Sequence, residues 1–162
     1  MRDMSGAKDH AWRAALTDLA LQCSCAEPDE AGQLLSELHA LLQAAPAGNA
    51  WLTAGLPSAA RIAALLRSDA ALSAAGALIE HRAGYMLSQG PGGRAMATLV
   101  LVGSAAETRC SAGDPALALA GALAEALSMA YRDPPPATRY QPKNSIRSST
   151  APPEYLARAR LN

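Results

Sequence analysis

The chain has 162 residues, of which 50% are apolar and 17% charged, and its 14 basic residues balance 14 acidic ones. An apolar half at this length furnishes the core of about one domain and excludes both wholesale disorder and a fibrous chain. Zero formal charge excludes a protein that coats nucleic acid by bulk attraction. No uncharged apolar run approaches the roughly 18 residues of a membrane span, and Met1-Arg2-Asp3-Met4-Ser5 leads into no apolar signal core. The expectation is a soluble, cytoplasmic protein with no membrane contact.

From Ala7 to about Cys23, the residues Trp12, Leu16, Leu19 and Cys23 recur at helical spacing and predict an amphipathic helix. Pro28 followed by Asp29 and Glu30 opens a second helix, because proline needs no amide partner in a first turn and acids favour the positive end of the dipole. Leu34, Leu35, Leu38, Leu41 and Leu42 form its stripe, and Pro46-Ala47-Gly48-Asn49 stops it. Pro57-Ser58 opens a third helix through Ile62, Leu65 and Leu66, and Asp69 reads as the N-cap of a fourth carrying Leu72, Ala75, Leu78 and Ile79.

Beyond residue 84 the period changes. Gly84 to Gln89 and Ala97 to Val102 predict two strands joined by a turn at Gly90-Pro91-Gly92-Gly93, with a third short strand near Glu107 to Cys110. Gly113-Asp114-Pro115 then supplies a break, a cap and a first-turn proline for a helix through Leu117, Leu119, Leu123 and Leu127 to about Met129. From Arg132 onward prolines and serines dominate, and such a segment buries too little apolar area to offset its ordering entropy. It predicts an extended arm, with Tyr155 and Leu156 as anchors of a short helical end.

The order helix, strand, turn, strand, strand, helix over residues 69–130 resembles the phage ABA sandwich domain, a small αβββα module of phage and prophage proteins. The residues that carry the resemblance are Asp69 to Leu72 through Ile79, Tyr85-Met86-Leu87, Ala97 to Val102, and Asp114-Pro115-Ala116-Leu117-Ala118-Leu119-Ala120. The resemblance implies that fold and a phage-derived setting, and carries no catalytic residue to this chain. The same layout resembles a double-stranded RNA-binding domain. In that family a basic cluster at the last helix faces phosphate, whereas here Asp114 stands there and Ser111 to Tyr131 hold no basic residue, so the activity does not follow.

Candidate chemistry is sparse. Cys23, Cys25 and His39 offer metal-ligand types, but Cys-x-Cys on a helix sends its sulfurs to different faces, which favours buried structural cysteines. Three cysteines cannot all pair within one chain, which fits a reducing compartment. His10 and His81 lack a paired acid or nucleophile and read as surface or helix-end residues, His81 and Arg82 placing positive charge at the negative end of a helix. Gly90 to Gly93 lacks the Gly-Lys-Ser/Thr of a phosphate loop, and neither Gly-x-Ser-x-Gly nor His-Glu-x-x-His occurs. The chain is therefore read as no enzyme, with no cofactor or metal.

Charge distribution is more informative than total charge. Residues 1–60 hold three basic and seven acidic residues, 61–131 hold five of each, and 132–162 hold six basic residues against Asp133 and Glu154. An acidic head and a basic tail predict self-association or an acidic partner. The fold class expected is α+β: an N-terminal helical hairpin over residues 1–50, an αβββα sandwich over 51–131, and a Pro/Ser/Arg-rich arm over 132–162. The function expected is protein–protein interaction or assembly through that arm. Its candidate binding residues are Arg139, Tyr140, Lys143, Arg147, Tyr155, Leu156, Arg158 and Arg160. The alternative is a winged-helix DNA-binding regulator built on residues 62–102, in which Ala71 to Leu78 offers the major groove almost no donor or charge.

Overall fold

A computed structural model describes residues 4–47 and 49–130. Within them lie six α-helices and one three-stranded antiparallel sheet, so the fold is mixed α+β, with the N-terminal helices preceding the sheet. Helix α1 spans Met4–Cys25, α2 Ala31–Gln43 and α3 Ala50–Thr53; α4 spans Ala59–Arg67, α5 Ala71–Ile79 and α6 Pro115–Ala130. The strands are β1 Ala83–Gln89, β2 Ala95–Leu101 and β3 Glu107–Ala112, in the order β1-β2-β3.

The two leucine stripes behave as their spacing predicts. Trp12, Leu16, Leu19 and Cys23 of α1 and Leu34, Leu35, Leu38 and Leu42 of α2 are buried. The indole Nε1 of Trp12 donates to the Leu41 carbonyl at 2.7 Å, so the polar handle of that ring fastens α1 to α2. Before α2 the chain makes a 3₁₀ turn at Pro28–Glu30, closed by a Glu27 amide that donates to the Glu30 carboxylate at 2.8 Å.

Two expected caps are present and one is not. Ser58 Oγ accepts from the Arg61 amide at 3.2 Å to start α4, and Asp114 Oδ1 accepts from the amides of Ala116 and Leu117 at 2.7 and 3.3 Å to start α6. Asp69 does not cap α5. Its φ is +55°, and its amide donates to the Leu66 carbonyl while that of Ala70 donates to Leu65, which is a Schellman closure of α4. An N-cap requires extended backbone, so a residue in the left-handed region ends the preceding helix and leaves Ala70 at the N-cap position of α5. Helix α3 is a single turn containing Trp51, which the apolar spacing does not predict.

Helix α6 is the centre of the molecule. Every residue from Ala116 to Ala124 is buried, because α6 packs on the inner face of the sheet and is enclosed by α1, α2 and α5. Its alanines and Gly121 permit that enclosure, since large side chains all round would hold the neighbours away. The inner sheet face presents Ala95, Ala97, Leu99 and Leu101 from β2 and Thr108, Cys110 and Ala112 from β3. Thr108 Oγ1 lies 3.1 Å from the Ala122 carbonyl and 3.4 Å from that of Leu99, a buried polar contact joining helix to sheet.

The opposite sheet face is bare among the described residues. Alternation puts Met86 and Ser88 of β1, Met96, Thr98 and Val100 of β2, and Glu107, Arg109 and Ser111 of β3 on it, and Met86 is 68% exposed.

Candidate functional site

The eight arm residues named as binding residues, Arg139, Tyr140, Lys143, Arg147, Tyr155, Leu156, Arg158 and Arg160, lie outside the described residues. The described surface that includes the end of α6 carries a groove. Helix α1 and helix α6 lie side by side, and between them runs a groove made of two adjoining cavities of about 450 and 290 Å³ that share Thr17, Glu125 and Ser128. His10, Arg13 and Met129 close one end of it, and Leu21, Ser24 and Arg109 close the other. Leu21 and Met129 are 67% and 46% exposed, so apolar groups flank a polar floor. Met129, in the last turn of α6, lines the His10 end of the groove.

Charge in the groove is mixed. Arg13 and Glu125 line the same cavity without an ion pair between them among the described residues, and Arg13 Nε is buried with no hydrogen-bond partner there. Arg109 is held instead by Glu107, with Nε and Nη2 donating to one carboxylate oxygen at 2.8 and 2.6 Å. That pair is largely exposed and contributes little to stability.

The three cysteines are free, and of the two expected to be buried, Cys23 and Cys25, only Cys23 is. Cys23 and Cys110 are buried, whereas Cys25 is exposed, because two residues along a helix is a rotation of about 200° and carries the second sulfur to the opposite side. Burial pushes the Cys110 thiol up to about 11 and the Cys23 thiol up to about 12, so both are protonated at neutral pH and neither is an activated nucleophile. We expect one thiol per chain, Cys25, to react with a thiol-specific disulfide reagent in the native protein at pH 8, and three after denaturation. Fast reaction of a second native thiol would show that α1 opens from α6. The same shifts set a sign for alkaline stability. Folded-state thiols above their ordinary value of 9.0 stabilise fully below pH 9, and this contribution is lost as pH rises towards 12.

The remaining buried polar groups are structural. His39, a candidate ligand in the sequence, has Nε2 2.7 Å from the Pro57 carbonyl and ties α2 to the segment before α4. No cluster of three or more His, Cys, Asp or Glu suited to a metal ion occurs among the described residues. His81 is exposed with φ +66°, whereas Arg82 meets the negative end of a helix as its position predicts, but from inside the fold, at 1% exposed. Its guanidinium donates to the carbonyls of Leu52, Ala54, Leu78 and Glu80 at 2.8 to 3.3 Å. The charge is stabilised by the carbonyl ends of α3 and α5, and desolvation lowers its pKa without removing the proton.

No family model matches the chain, and no curated protein or solved structure matches it. No described helix is long and apolar enough to cross a membrane.

Proposed function

We propose that this is a non-enzymatic interaction or assembly protein whose C-terminal arm, residues 132–162, binds a partner or a neighbouring copy. The observation that supports the reading is the segregation of charge. Six basic residues against two acidic ones follow directly on α6, while the first 60 residues carry seven acidic residues against three basic ones. A partner that offers carboxylates to Arg139, Lys143, Arg147, Arg158 and Arg160 and an apolar seat to Tyr140, Tyr155 and Leu156 has the matching chemistry. A phage or prophage setting, as the ABA-sandwich resemblance implies, and a cytoplasmic location belong to the same reading.

The test compares the full chain with residues 1–131 and with a full-length variant in which those five cations become serine. Expected is a core with unchanged far-UV circular dichroism in both, together with loss of partner binding, or of assembly beyond a dimer, that salt reproduces in the wild type. Partner binding, or assembly beyond a dimer, that survives both changes would remove the arm from the account. The winged-helix alternative has less support, since α5 carries no charged side chain and buries Ala74, Ala75, Leu78 and Ile79 within the core. Salt-dependent, sequence-specific binding of duplex DNA by the full chain would establish it nonetheless.

A further inference from the structure

We infer that β1 is the contact strand of a symmetric homodimer, in which two copies pair edge to edge through Ala83–Gln89 and join their sheets into one of six strands. This goes beyond the arm reading and stands without it. The ladder determines which backbone groups are available. In the β1–β2 register the partner numbers sum to 184, and the Val102 amide donates to Arg82 at 2.8 Å while the Gly90 amide donates to Arg94 at 3.0 Å. Even-numbered residues of β1 therefore bond to β2, and the amides and carbonyls of Ala83, Tyr85, Leu87 and Gln89 point out of the sheet. Those of Tyr85, Leu87 and Gln89 find no backbone partner among the described residues.

Edge strands normally carry a device that prevents pairing, such as lysine, proline or a bulge. The sequence of β1, Ala-Gly-Tyr-Met-Leu-Ser-Gln, has no charged residue and no proline, and its pairing with β2 is regular throughout. The other edge of the sheet differs, because β3 packs beside α1 and bears the charged pair Glu107 and Arg109. Tyr85, 51% exposed, and Met86, 68% exposed, stand at the open edge.

The occupant follows from self-complementarity. Among antiparallel registers of β1 with a second β1, one uses all four outward residues, pairing Ala83 with Gln89 and Tyr85 with Leu87 in both directions. Its two-fold axis passes between the Met86 residues of the two copies, which become a non-hydrogen-bonded pair. Each Tyr85 ring then meets the other copy's Leu87 on the helix side of the sheet, and no like charges meet in the strand. A net charge of zero removes long-range repulsion between copies.

The test is light scattering coupled to size exclusion on the full chain, wild type against Met86→Lys, Met86→Glu and Met96→Lys. Position 86 is solvent-exposed in the monomer, so circular dichroism should be unchanged. Expected is a wild-type mass twice the 16.6 kDa of one chain, and half that mass for each Met86 variant. A 1:1 mixture of Met86→Lys with Met86→Glu should restore the dimer, since opposite charges then face each other across the axis. Met96→Lys, on the same sheet face but in the central strand, should remain dimeric. A monomeric wild type, or a dimer that persists in both Met86 variants, would overturn the inference. So would a dimer lost equally in Met96→Lys and not restored by mixing, which would indicate face-to-face stacking of sheets. A dimer that persists in both Met86 variants but is lost in the full-length variant with the five arm cations replaced by serine, run alongside, would assign association to the arm.

Discussion

Replacing Arg82 by methionine is expected to destabilise the fold by about 2–4 kcal/mol, since each buried carbonyl left unpaired costs about 1–3 kcal/mol. Methionine fills most of the volume of the arginine stem but donates nothing. The carbonyls of Leu52, Ala54, Leu78 and Glu80 would lose the guanidinium, and the bonds to Leu52 and Leu78 are buried, so those two would be left unpaired. Two helix ends would lose their closure together, because Leu52 and Ala54 belong to the end of α3 and Leu78 and Glu80 to the end of α5. Lysine at this position retains charge but cannot direct donors along the diverging lines of a guanidinium, so Arg82→Lys should recover only a minor part of the loss. The control is Arg109→Met, whose exposed ion pair is worth less than about 1 kcal/mol. Urea unfolding followed by circular dichroism measures all three. An Arg82→Met cost no larger than that of Arg109→Met would show that the four carbonyls find other partners.

Arg82 also marks where the sequence stops being readable. The apolar stripes of α1 and α2, the hairpin at Gly90 to Gly93, the third strand and the proline-started last helix are all periodicity and turn chemistry, which are local and therefore visible in one chain. A guanidinium buried among carbonyls from residues 52 to 80 is a long-range arrangement, and its local context, His81-Arg82 after a helix, reads equally well as positive charge at a helix end. The same limit explains Asp69. Aspartate before a helical run signals an N-cap, and nothing local reveals that its backbone takes φ +55° to close α4 instead. Cys25 departs from expectation for a different reason: the stripe assigned burial to Cys23, and the 200° rotation that exposes its neighbour follows from the same helix geometry. The open edge of β1 lay between these cases. Its composition was legible, but strand order decides which strand has a free edge, and only the fold supplies that order.

Gly121 carries the second large effect. A methyl group built at this position would lie 2.5 Å from Cys110 Sγ, 3.1 Å from Cys23 Cβ and 3.3 Å from Cys110 Cβ. Alanine in a helix interior normally gains about 1 kcal/mol over glycine, so a surface position would be stabilised by the exchange. Here two buried cysteines on different elements, α1 and β3, approach the α6 backbone through the missing side chain, and a methyl group would force Cys110 Sγ to turn away or α6 to move. Overpacking of this kind costs about 1–3 kcal/mol, which outweighs the propensity gain and should leave Gly121→Ala net destabilised. Gly121→Val adds two more methyl groups and should cost more. The mechanism is separable from general fragility by a double-mutant cycle with Cys110→Ala, which removes the sulfur responsible for the 2.5 Å approach. If the clash is the cause, the double variant is more stable than the sum of the two singles by about 1 kcal/mol or more. Strict additivity would mean that α6 simply shifts away from the sheet, and the position would then be tolerant of alanine for reasons of backbone freedom. A coupled result would instead establish that the run of small residues in α6 is set by how near α1 and β3 must come to it.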